Sequence, residues 1–108
     1  MAWTLTVRAG PKVRRERFDA PGPALDALEE RLAEIEPVGP AKALMREYSA
    51  AQQVAGRGEL RGPGRVRAGA DVRGDGSLEA WTGWIRRSPL EVEPGETPLE
   101  ALRRFVGA

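Results

Sequence analysis

Four stretches of the chain alternate apolar or small residues with polar ones at a period of two, a pattern that a helix cannot bury and an antiparallel sheet with one wet face can. Trp3, Leu5 and Val7 alternate with Thr4, Thr6 and Arg8. Val54, Gly56, Gly58 and Leu60 alternate with Ala55, Arg57, Glu59 and Arg61. Beyond Gly62-Pro63-Gly64, Val66, Ala68, Ala70 and Val72 alternate with Arg67, Gly69, Asp71 and Arg73. Gly74-Asp75-Gly76 is a turn of the kind that favours positive φ, and Ser77 to Arg87 forms a third arm after it. That arm carries Leu78, Ala80, Thr82 and Trp84 on one face and Trp81 and Ile85 on the other, which predicts a central strand or one whose second face meets a partner. Residues 54–87 therefore read as a three-stranded meander with small inward residues.

The remaining segments supply one more strand and two helices. Val13 to Phe18 returns as a wet strand after the Ala9-Gly10-Pro11-Lys12 turn, closing a hairpin with the first strand. Leu25, Leu28, Leu32 and Ile35 share one face of a helix predicted over Ala24 to Glu36, with its first acids suited to the positive end of the helix dipole. Pro37, Gly39 and Pro40 end it. Residues 43–51 fit a strand or a helix, with Leu44, Arg46 and Tyr48 tilting the balance slightly toward strand. Leu90 to Glu93 is expected as a short strand. Thr97, Pro98 and Glu100 form a capping box ahead of a last helix whose apolar stripe is Leu99, Leu102, Phe105 and Val106. Each helix follows a Pro-Gly, and an apolar-Arg-Arg triplet precedes each; amphipathic patterning explains this echo more simply than duplication. The expected fold is α+β, a single domain over residues 1–108 with an antiparallel sheet of about five strands and two helices in two layers, ordered ββα-βββ(β)-α.

Composition narrows the chemistry. The chain has no His and no Cys. Histidine triads, thiol nucleophiles, imidazole or thiolate metal sites, disulfides and near-neutral histidine switches are thereby excluded. Lys12 and Lys42 are its lysines, it contains no Asn, and it has 9 prolines. A thermophile tolerates such a composition well, and GC-rich coding produces the same bias. The N-terminal segment alternates rather than forming an apolar core, and no run approaches a membrane span, so a cytoplasmic bacterial protein is expected.

What remains for catalysis is carboxylates, two lysines, Tyr48 and a few hydroxyls. Asp71 and Asp75 flank a hairpin turn, where Asp ordinarily bonds local backbone, and nothing in the pattern suggests their burial. A calcium loop from Asp71 fails because Arg73 occupies a ligand position and residue 82 is not Glu. Arg73-Gly74-Asp75 is a turn. The glycine-rich run from Gly56 to Arg65 lacks the Lys-Ser/Thr end of a phosphate loop; its glycines fit small strand positions beneath something large such as an indole. No metal site, catalytic residue or cofactor is assigned.

Charge is segregated behind a near-neutral total. Residues 1–20 carry +3, residues 21–40 carry −4, residues 41–90 carry +4, residues 91–100 carry −4 and the last eight carry +2. Arg57, Arg61, Arg65, Arg67 and Arg73 together with Trp81 form a candidate basic and aromatic face, able to hold phosphates and stack bases if exposed. Alternating Arg on wet strand positions also serves to block edge aggregation. Trp81 and Ile85 are candidate interface residues. The expected function is a non-catalytic binding or assembly protein that forms a homo-oligomer and is not membrane-bound. A nucleic-acid-associated protein using the strand arginines is the alternative, and a small carboxylate-dependent enzyme comes third.

Overall fold

The computed structural model describes residues 2–35 and 54–107, and in these it is an α+β fold. The strands are β1 (Trp3–Ala9), β2 (Lys12–Phe18), β3 (Val54–Arg61), β4 (Arg67–Arg73), β5 (Leu78–Thr82) and β6 (Ser88–Pro89); the helices are α1 (Pro21–Ala33) and α2 (Pro98–Val106). One antiparallel sheet has the order β2-β1-β3-β4-β5-β6. The chain from β2 to β3 returns to the far side of β1, which places the hairpin beside the meander.

The alternating residues sort as their period dictates except Val54, which a register shift between Val54 and Gly56 leaves exposed opposite Arg73. Trp3, Leu5 and Val7 of β1, Leu60 of β3, Ala68, Ala70 and Val72 of β4 and Ala80 of β5 face the helices and share one core with Leu25, Leu28, Leu32 and Leu102. Gly56 and Gly58 leave room on β3 for Ile35 and Leu28 to approach the sheet backbone. Small strand residues thus let the helices seat closely. The indoles pack on other glycines, Trp3 against Gly62 and Trp81 against Gly69. The opposite face of the sheet is covered by neither helix.

Several boundaries differ from the sequence expectation. Helix α1 begins at Pro21 rather than Ala24, because Pro23 falls in the first turn, where its missing N–H has no intrahelical partner to lose. Asp26 therefore lies beyond the first turn, away from the positive end of the dipole. Ile35 follows the helix and still packs against the core. The third arm stops at Thr82: Gly83 adopts φ 136 with the Arg86 carbonyl where a β-carbon would stand, a geometry open only to glycine. Trp84 and Ile85 consequently leave the strand, and β5 lies next to the short edge strand β6 instead of at the centre of the sheet. The paired residues after the turn are Ser88–Pro89 rather than Leu90 to Glu93. The assignment of residues 43–51, and with it Tyr48, falls outside the described residues.

Helix α2 matches its sequence signature. The Thr97 hydroxyl accepts from the Glu100 backbone N–H at 3.1 Å, and Glu100 Oε1 accepts from the Thr97 N–H at 3.0 Å. Gly107 closes the helix in the left-handed region at φ 87. Among the described residues, no helix is long and apolar enough to cross a membrane.

Candidate functional site

Strand register lays the uncovered face out in rows. One row runs Arg17, Thr4, Arg61 and Arg67 across β2, β1, β3 and β4. The next runs Arg15, Thr6, Glu59, Gly69 and Trp81, ending on Pro89 of β6. The third runs Val13, Arg8, Arg57, Asp71 and Glu79. Of the candidate residues, Arg57, Arg61, Arg67, Arg73 and Trp81 share this face. Arg65 lies off it, exposed in a short 3-10 turn at φ 64.

The β3–β5 half of the face is closed by ion pairs. Arg57 donates from Nε to Asp71 Oδ1 at 2.7 Å and from Nη2 to Oδ2 at 3.1 Å. Asp71 Oδ1 also accepts the Trp81 indole N–H at 3.0 Å. Asp71 is only 7% exposed, contrary to the expectation for a turn acid, because it sits within β4 and the indole lies beside it. Arg61 and Arg67 both donate to Glu59 Oε1, at 2.6 and 2.7 Å, and Arg73 is bound to Glu79. Burial raises the Glu59 carboxyl, but the hydrogen bonds from Arg67 and Arg61 outweigh it and hold the group below its usual range. Asp75 does what a turn acid does: its Oδ1 accepts from the Ser77 N–H and hydroxyl, which lowers its pKa. Asp71 and Asp75 thus have separate structural partners.

Trp81 lies on the uncovered face yet is 3% exposed. It rests over Gly69, where a β-carbon would stand 2.7 Å from the ring, and the guanidinium groups of Arg67 and Arg87 lie 5.1 and 5.5 Å from its centroid. Its ring is packed between backbone and cations. Ile85, the other candidate interface residue, is 86% exposed on the β5–β6 connection, beside Trp84 at 45%. Arg61 stacks on Trp84 at 5.5 Å.

The segregated charges of the sequence meet mostly within the chain. Arg103 of α2 donates to Asp26 Oδ1 of α1 at 2.6 Å and reaches Glu29 at 3.4 Å. Arg104 binds both oxygens of Glu96, at 3.0 and 3.1 Å, and Arg31 of α1 binds Glu16 of β2 at 2.9 Å. Three strand arginines of the uncovered face stand apart from this scheme. Arg8, Arg15 and Arg17, on β1 and β2, hold no ion pair among the described residues. With Thr4, Thr6, Glu59 and Arg61 they line a shallow trough along β1. The sequence reading passed over them because nothing in linear order joins residues 4–8 to 15–17 and 59–61; the tight turn at Gly10-Pro11, which fixes the hairpin register, was the available signal. Among the described residues no three Asp or Glu side chains gather as a metal site would require. Comparison with protein-family models, with curated proteins and with solved structures finds no match to this chain.

Proposed function

We propose that this chain is a non-catalytic binding and assembly protein that associates with a second copy of itself along its β6 edge. The observation that carries the reading is the division of that edge into two ends of opposite charge, each with exposed apolar groups. Leu90 N–H donates to Ala80 O at 2.8 Å, so the chain after Pro89 keeps running beside β5. The turn at one end exposes Trp84, Ile85, Arg86 and Arg87; the segment at the other exposes Glu91, Val92 and Glu93. Two copies set antiparallel along this edge bring the basic end of each onto the acidic end of the other, twice over. Such a self-complementary contact is what two-fold assembly requires. Pro89 has no N–H to offer a neighbouring strand, so the contact is one of side chains and not of a continued sheet.

Exposing an isoleucine to the extent of Ile85 forgoes roughly 1.5 to 3 kcal/mol that burial would supply. A non-catalytic role agrees with the placement of the buried carboxylate: Asp71 has both oxygens engaged by Arg57 and one also by Trp81.

Light scattering coupled to gel filtration tests the reading. The expected mass is twice that of the chain, with Ile85→Asp giving a monomer. Arg86→Glu and Glu91→Arg singly weaken the dimer, and the two together restore it. A strict monomer at high micromolar concentration, or a dimer indifferent to all these changes, rejects it.

A further inference from the structure

We infer that the trough along β1 binds the phosphate backbone of a single-stranded nucleic acid. It lies at the β2 side of the sheet, away from β6, and stands independently of self-association. Thr4 and Thr6 form its floor, Arg17 and Arg15 of β2 flank it on one side, Arg61 and Glu59 of β3 on the other, and Arg8 closes its end. Two features fit this ligand.

The first is uncompensated charge. Arg57, Arg61, Arg67 and Arg73 spend their forks on Asp71, Glu59 and Glu79, whereas the strand arginines Arg8, Arg15 and Arg17 have no carboxylate partner among the described residues. Glu59, the one acid lining the trough among the described residues, already serves Arg61 and Arg67 through a single oxygen. Three planar forks beside two hydroxyl groups match the bidentate recognition of phosphate oxygens, with Thr donating the additional hydrogen bonds.

The second is shape. Neighbouring strands lie about 4.8 Å apart, so the arginine rows of β2 and β3 are about 10 Å from each other, the room one sugar-phosphate chain needs. From Thr4 to Arg8 the floor runs about 14 Å at roughly 3.4 Å per residue, enough for consecutive phosphates of an extended strand. A duplex presents a convex cylinder, which reaches the arginines of one wall only. Among the described residues no aromatic ring lines the trough. Bases are therefore not stacked, and the binding is indifferent to sequence.

The probe is a fluorescent oligothymidylate of roughly 12 nucleotides, within the range of known single-strand site sizes. Anisotropy is read from about 20 mM salt upward, with a matched duplex and polyglutamate as competitors. Three phosphate contacts give a slope of log affinity against log salt of about −2, at about −0.7 per neutralised phosphate. Arg15→Ala/Arg17→Ala removes about two-thirds of that slope, while Arg73→Ala, on the same face but paired with Glu79, leaves it unchanged. Thermal melts of both variants at the wild-type temperature show that folding is intact. No binding at the lowest salt, a double variant that binds like wild type, or duplex or polyglutamate competing as well as the single strand overturns the inference. A monomeric protein that still binds rejects the assembly reading alone.

Discussion

Trp81 donates its indole N–H to Asp71 at 3.0 Å while lying over Gly69 and beneath two guanidinium groups. Because the same Asp71 oxygen also receives Arg57 at 2.7 Å, a single buried carboxylate ties β3, β4 and β5 together on the face that the helices leave uncovered. On the face that neither described helix covers, the sheet thus acquires a polar layer of packing.

Asp71→Ala is expected to destabilise the fold by about 3 kcal/mol, because it strands the Trp81 N–H and an Arg57 guanidinium that is itself two-thirds covered. Trp81→Phe leaves Asp71 paired with Arg57 and should cost less, about 2 kcal/mol from the lost hydrogen bond and lost ring area. Urea unfolding of the two variants checks the order. Equal losses would mean that the indole bond, and not the ion pair, carries the cluster.

Gly69→Ala and Gly58→Ala separate two kinds of close packing. A β-carbon at Gly69 meets the Gly58 backbone carbonyl and the Trp81 ring, which yields only by leaving its packing over the sheet. At Gly58 the nearest atoms are the flexible ends of Leu28 and Leu32. Overpacking of this kind costs roughly 1 to 3 kcal/mol, and Gly69→Ala is expected at the upper end, with Trp81 fluorescence shifting as the ring is displaced. A costlier Gly58→Ala would place the tighter packing on the helix side of the sheet.

The same contacts explain what the sequence disclosed. Period-two alternation identified the inward residues of β1, of β4 and of β3 from Gly56 onward because those positions bury one face; it misplaced Val54, which a register shift before Gly56 leaves exposed opposite Arg73. It overextended β5 because Trp84 and Ile85 continue the alternation past Gly83, and the φ of 136 that breaks the strand there is a property of three dimensions. The basic face was visible in composition, but its pairing was not. Arg57 finds Asp71 and Arg67 finds Glu59 across strands, at separations of 14 and 8 residues, once register is set. Trp81 could be read as an exposed platform only until Gly69 was known to lie opposite it.

Acid sensitivity follows from the ion pairs. Hydrogen bonds from Arg31 lower the Glu16 pKa, those from Arg104 lower Glu96, Ser77 lowers Asp75, and Arg67 and Arg61 hold Glu59 down against its burial. Since each folded-state pKa lies below its unfolded value, roughly 4.3 for Glu and 3.9 for Asp, the stability these groups add is present above those values and lost as pH falls through the folded ones. With no His in the chain, the melting temperature should stay level between about pH 5.5 and 7 and decline below about pH 4.5. A thermal-melt series in constant ionic strength reads this directly; a step near pH 6.5 would require a titrating group of a different kind.

Helix α2 is held by two devices of unequal worth. Its Thr97 hydroxyl accepts from the Glu100 N–H, a first-turn donor with no partner inside the helix, and Thr97→Ala should cost about 1 kcal/mol. Arg103 ties the helix to Asp26 and Glu29 of α1, but those carboxylates are largely in solvent, so Arg103→Ala should cost only a few tenths of a kcal/mol. The two losses respond differently to salt. In about 1 M salt, where counterions compete for exposed charges, the Arg103→Ala deficit should shrink while the Thr97→Ala deficit persists, because the capping hydroxyl is neutral. Urea unfolding of both variants at low and high salt tests this. An Arg103→Ala deficit that survives high salt would show that the arginine acts by covering the α1–α2 seam with its aliphatic stem rather than through its charge.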